Sequence, residues 1–142
     1  MDKQTQFDIS YLQMAGIWAK NSYSKRRQVG ALLVKDRMPP SGFENVCEDE
    51  NGVTKPYVLH AEANAITKVA KSNNSSQGAT LYITASPCVE CAKLIIQSGI
   101  VRVVYRDDYR LDDGIKLLQR ANIEIVHMPQ EEIDKLEKER NL

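Results

Sequence analysis

The sequence predicts a single α/β domain in which a mostly parallel sheet is covered by helices. Two observations carry this. Through the second half, short apolar runs suited to buried strands alternate with segments of helical periodicity, the pattern left by βαβ units. The chain has 142 residues, enough for one sizeable core and too few for two independent ones. No internal repeat is visible, so one domain over residues 1–142 is expected.

The elements follow in order. Phe7, Tyr11, Met14, Ala15, Trp18 and Ala19 recur at helical spacing and predict an opening amphipathic helix. Val29-Gly-Ala-Leu-Leu-Val34 is a short apolar run fit for a buried strand. From Asp36 to Tyr57 the chain is polar, carries Pro39, Pro40, Gly42 and Gly52, and shows no period. Leu59, Ala63, Ile66 and Ala70 mark a second helix, ended by a turn segment over 72–78. Residues 79–84 read as a strand. Pro87 stands where a helix would start, running through Ala92, Ile95 and Ile96 to Gly99. Val101–Tyr105 is the next strand, Asp112 and Asp113 open a helix carrying Ile115, Leu117 and Leu118, and 123–126 form a last strand. Residues 130–140 are highly charged, with Ile133 and Leu136 three apart, and predict a solvated terminal helix.

Composition narrows the function classes. Nineteen basic and nineteen acidic residues cancel, which argues against a nucleic-acid polymer as partner, since binding one usually leaves a basic footprint. A small anionic substrate needs only one or two local cations and stays open. No run approaches the roughly 20 apolar residues of a membrane span, and the N-terminus lacks the apolar stretch of a secretory signal. A cytoplasmic protein is the expectation. Three cysteines, two of them in a Cys-x-x-Cys pair, point to metal or redox chemistry rather than a disulfide framework.

Two segments carry chemistry, His60-Ala-Glu62 and Pro87-Cys-Val-Glu-Cys91. A catalytic zinc keeps three protein ligands and one open position, and His60, Cys88 and Cys91 supply that set. Cysteines three apart in a first helical turn share a face, and a helix N-terminus favours thiolate. Glu62, two residues from His60, is awkwardly placed as a ligand and well placed to move protons. Taken alone, Cys-x-x-Cys also fits half of a structural zinc site or a redox pair, and His-x-Glu alone says little. Both motifs fall at predicted helix starts, and that conjunction favours a catalytic zinc. His127 is not excluded as a further ligand.

At these residues the chain resembles the cytidine/deoxycytidylate deaminase superfamily, whose signature pairs His-x-Glu with Pro-Cys-x-x-Cys. The likeness runs from the first helix to about Val126 and is strongest to the deoxycytidylate (dCMP) deaminase forms, in 60–66 and 87–96. Residues 28–31, 78–82 and 99–105 also fit. The resemblance implies a three-layer α/β/α cytidine deaminase-like fold with a five-stranded mixed sheet, and hydrolytic deamination of dCMP to dUMP for thymidylate synthesis. It implies zinc on His60, Cys88 and Cys91, with Glu62 as proton shuttle. Arg26, Arg27 and Tyr109 become candidates for the substrate phosphate. It further implies a homo-oligomer, often a hexamer, with dCTP (accompanied by Mg²⁺) as activator and dTTP as inhibitor.

Two departures stand out. Where the family continues from its first strand into an antiparallel second strand and a Gly-Tyr-Asn-Gly turn, this sequence runs from Met38 straight into Pro39. A short segment is either omitted or deleted along with an edge strand, and the intact flanks favour omission. The turn asparagine that holds the sugar has no clear match, Asn45 not being that residue. Some relatives also hold a second, structural zinc through a cysteine near Cys47 and another before the first strand. Residues 21–27 lack cysteine, so Cys47 reads as a free thiol. The remaining alternatives are another deaminase of the superfamily, acting on a tRNA adenosine, cytidine or guanine, and a non-catalytic module stapled by zinc.

Overall fold

The computed structural model describes residues 1–21, 28–35, 59–109 and 111–141, together with the backbone of 41–45. Five strands form one sheet in the order β2-β1-β3-β4-β5: β1 Gly30–Val34, β2 Ser41–Asn45, β3 Thr80–Ala85, β4 Arg102–Asp107 and β5 Glu124–His127. β3, β4 and β5 run parallel, and β1 is antiparallel to both its neighbours. The sheet is therefore mixed, with a parallel half where strands alternate with helices α3 (Val89–Gln97) and α4 (Asp113–Arg120).

Side chains alternate along each strand and so feed two cores. Ala31, Leu33, Leu81, Ile83 and Val103 face a cluster shared with Ala61 and Ala65 of α2 (Ala61–Ala70), Ala92 and Ile95 of α3, and Leu118 of α4. Leu32, Val34, Tyr82 and Val104 face the other cluster, with Ile9, Leu12 and Ala15 of α1 (Lys3–Ala19) and Ile133 of α5 (Gln130–Arg140). Three layers result, as the resemblance implied. Among the described residues, no helix is long and apolar enough to cross a membrane.

The opening helix begins at an Asp2 cap, whose carboxylate accepts from the Thr5 amide at 2.7 Å. Its buried face differs from the predicted stripe: Asp8, Ile9, Leu12, Ala15 and Ala19 are buried, while Trp18 is exposed. Asp8 explains the rotation. Its carboxylate takes a bidentate pair from Arg102 on β4 at 2.7 and 2.6 Å, the Tyr82 hydroxyl at 2.7 Å and the Gln4 amide at 3.0 Å. Burial alone would raise the Asp8 pKa, yet these hydrogen bonds hold it below the usual range. Glu124 pairs with the same Arg102 from the far strand.

Helix and strand also meet backbone to backbone. A Cβ on Gly30 would lie 2.1 Å from the Ala15 carbonyl oxygen, so only glycine admits α1 this close to β1.

Two expectations need correction. Residues 41–45, read as part of an aperiodic loop, form the antiparallel edge strand β2. The sheet therefore keeps an antiparallel edge strand, formed by residues that follow Met38 and Pro39 in the sequence. Ser-Gly-Phe-Glu-Asn carries no alternating pattern, but an edge strand is held by backbone pairing along one side and needs none, and its register shifts between Leu32 and Leu33. The terminal helix is also less solvated than predicted, since Ile133 is fully buried and Leu136 packs beside it.

Candidate metal centre

His60 and Cys88 each occupy the N-cap position of a helix, α2 and α3, with extended backbone. Cys91 follows in the first turn of α3 and is buried. Both helices lie on the same sheet face, and small residues (Ala61, Ala65 and Ala92) pack on the sheet beneath them. Their N-termini meet. The ring Nδ1 of His60 is 3.3 Å from Cys91 Sγ and 3.6 Å from Cys88 Sγ, and all three ligand atoms lie within 4.8 Å of one another.

Zinc fits this set. With sulfur at about 2.3 Å and nitrogen at about 2.0 Å, a tetrahedral ion holds S and N ligands about 3.5 Å apart, matching the observed separations. No other group of three or more potential ligands occurs among the described residues, so the fourth tetrahedral position has no protein occupant within that set. His127 is not part of it. It sits on β5, stacked on Tyr105 at 4.4 Å, with its Nε2 at 3.0 Å from the Arg106 carbonyl.

The four groups are electrostatically coupled. The Cys91 thiol donates to Cys88, which, together with the His60 ring and the Cys91 amide at 3.5 Å, lowers Cys88 to about 4. The same proton is held tightly on Cys91, whose pKa is raised, first by that hydrogen bond and then by burial and the Glu62 charge. Glu62, in the first turn of α2, is only 4% exposed. Burial pushes its carboxyl up to about 7, against the pull of its own backbone amide and of His60. Glu62 and Cys91 are in hydrogen-bond contact, so the carboxyl borders the donor set. Three borderline-soft ligands and a buried carboxyl with a proton affinity near neutrality form one cluster.

Tyr109 lies on the loop after β4. Its amide donates to the buried Ser86 hydroxyl at 2.7 Å, and the Ser86 amide donates to the Asp107 carbonyl at 2.8 Å. Ser86 immediately precedes Pro87, so the Tyr109 loop is tied to the cysteine loop. Nothing in the composition marked Ser86; only its place before the motif could have. Arg26, Arg27 and Cys47 lie outside the described residues.

Residues 5–107 match the family described as the cytidine and deoxycytidylate deaminase zinc-binding region. The deoxycytidylate deaminase of Enterobacteria phage T4 is 43% identical over 83 residues, covering 55% of this chain and 42% of the phage protein. The human deoxycytidylate deaminase is 37% identical over 114 residues, 69% of this chain and 63% of the human one. The chain thus spans less than two thirds of the length of either curated relative. A solved dCMP deaminase from cyanophage S-TIM5, in complex with dCMP and dUMP, superposes with a TM-score of 0.79 at 38% identity, covering 90% of this chain and 99% of that one. Fold, ligand geometry and sequence agree, and the chain belongs to the cytidine and deoxycytidylate deaminase zinc-binding family.

Proposed function

We propose that the protein is a zinc-dependent hydrolase that converts dCMP and water to dUMP and ammonia. The buried Glu62 carboxyl beside the His60, Cys88 and Cys91 donor set is the observation that carries this reading. When bound, zinc supplies Lewis acidity that brings the ionisation of water near neutral pH. Glu62 takes the proton of the attacking water and hands it to the pyrimidine ring nitrogen. It then transfers a second proton to the departing amine, so that the C4–N bond breaks as ammonia leaves and the ring keeps the oxygen. Burial raises the proton affinity of this carboxyl, which suits a group that must both take and return a proton.

The substrate assignment is supported by the phage T4 and human relatives, both deoxycytidylate deaminases, and by dCMP and dUMP in the cyanophage complex. Tyr109 is assigned to the substrate phosphate, with Arg26 and Arg27 as its cationic partners. Assembly into a homo-oligomer and response to dCTP with Mg²⁺ or to dTTP belong to the same reading and rest on resemblance alone.

The test is ammonia release from dCMP, CMP and cytidine by zinc-loaded protein, with dCTP and Mg²⁺ present. Turnover of dCMP alone is the expected result. Turnover confined to cytidine would move the assignment to another deaminase of the superfamily. No turnover by protein holding one zinc per chain would remove the dCMP assignment.

A further inference from the structure

Gly114 opens the first turn of α4, is buried, and lies beyond the stretch that matches the family. A Cβ added there would stand 2.1 Å from the Pro87 carbonyl oxygen, 2.9 Å from the Cys88 carbonyl carbon and 3.0 Å from the Cys88 carbonyl oxygen. Every one of these atoms is backbone, so no side-chain rotation could relieve the contact. Either α4 retreats or the loop bearing Cys88 moves.

The loop has little room to move without consequence. Ser86 is pinned to Asp107 and Tyr109 on one side, and the Cys88 carbonyl accepts from the Ala92 amide at 2.8 Å on the other. The helix is held as well, since Leu118 is fully buried in the core and Ile115 and Leu117 pack against it. Glycine loses more backbone freedom than any other residue when ordered in a helical turn, and close approach to the cysteine loop is the local reason for it here.

We infer that Gly114 is a positioning residue for the metal ligand Cys88: its missing side chain lets α4 seat on the Pro87–Cys88 backbone and fixes where the Cys88 sulfur stands. The inference rests on reading His60, Cys88 and Cys91 as a zinc set. It does not depend on which substrate is deaminated.

Gly114→Ala is compared with Lys116→Ala, an exposed position on the same helix, and with Leu117→Ala, which loosens α4 on the core. In competition with a chromophoric chelator, Gly114→Ala is expected to weaken zinc binding at least tenfold. It should also shift the thiolate charge-transfer and d–d bands of the Co²⁺-loaded protein, and shrink the gain in Tm on zinc loading. Leu117→Ala should lower Tm equally with and without metal and leave the Co²⁺ spectrum alone, and Lys116→Ala should change neither. Parental zinc affinity and an unchanged Co²⁺ spectrum in Gly114→Ala would overturn the inference. Should that variant fail to fold, the parent decides. Zinc loading is expected to slow amide exchange at Lys116 and its neighbours at least tenfold, and exchange indifferent to zinc overturns the inference equally. None of these readouts needs turnover, so an inactive but zinc-loaded parent would remove the proposed function and leave this one standing.

Discussion

Two buried polar clusters lie on opposite sides of the sheet, and they dispose of their charge differently. On the α1 side, Asp8 meets Arg102 bidentately and also takes hydrogen bonds from Tyr82 and Gln4. Its partners fill its lone pairs, and its pKa falls. On the α2/α3 side, the Cys91 thiol keeps its proton and donates to Cys88, and a buried carboxyl is driven up to about 7 by the lack of solvation. The first cluster is complete from the chain alone. The second gathers a His/Cys/Cys donor set suited to a cation. A buried carboxylate enclosed by a guanidinium holds structure together, while thiols, an imidazole and a carboxyl converging at two helix starts mark where a cation goes.

Substitutions can break this contrast, and the largest effect belongs to the side with the donor set. Glu62→Gln is expected to lower kcat for dCMP about 10²–10⁴-fold while the protein still carries one zinc per chain. Steady-state ammonia release and metal analysis on the same sample check both halves. Parental kcat would reduce the zinc to a staple.

Next comes Asp8→Ala, which strands the mostly buried Arg102 guanidinium and is expected to cost about 3–5 kcal/mol of stability. Urea unfolding measures the loss. Zinc affinity should not change, and a fall in it would mean the two clusters communicate through the sheet. Because the folded pKa of Asp8 is depressed, its contribution is present in full above the ordinary carboxylate value of 3.8 and fades as pH falls through the lower folded value. The parent should therefore lose Tm below about pH 4 more steeply than Asp8→Asn. Parallel Tm profiles for the two proteins would count against the network.

Smaller effects sharpen the picture. Tyr82→Phe removes one hydrogen bond to a charged group and is expected to cost about 1.5–3 kcal/mol. Glu124 is 63% exposed, so Glu124→Gln is expected to cost less than about 1 kcal/mol despite its contact with Arg102. Calorimetry of the pair tests the ordering, and a costlier Glu124 change would mean that the outer half of the network dominates.

The two clusters were also unequally legible. His60, Glu62, Cys88 and Cys91 fall in two short motifs whose spacing already implied a shared face and a shared ion. Asp8 and Arg102 are 94 residues apart, and neither carries a local pattern, so their pairing was invisible. That blindness misled the reading of α1. Aromatic side chains weighted the predicted stripe toward Phe7, Tyr11 and Trp18, whereas the ion pair turns the helix so that Ile9 and Leu12 are buried. Phe7 and Tyr11 instead stack along the flank at 6.1 Å, with Tyr11 leaning on Tyr82 at 5.3 Å. The start of α2 was also misplaced, since Leu59 precedes the helix, which begins at Ala61. Leu59 is left 48% exposed while alanines face the sheet, because small residues let the helix bring His60 close to the cysteine loop. The edge strand β2 escaped notice because backbone pairing leaves no trace in side-chain periodicity.

The contact between Gly30 and the α1 backbone bears on how this sequence is free to drift. With Ala15 and Ala19 lying within about 3 Å of where a Cβ at Gly30 would stand, the three positions have no slack to trade among themselves. A methyl gained at one cannot be absorbed by a methyl lost at another, since the obstruction is main chain. In an alignment of relatives, position 30 should stay invariant even where the helix surface beside it turns over freely, and any lineage that replaced it should show α1 displaced outward as a unit.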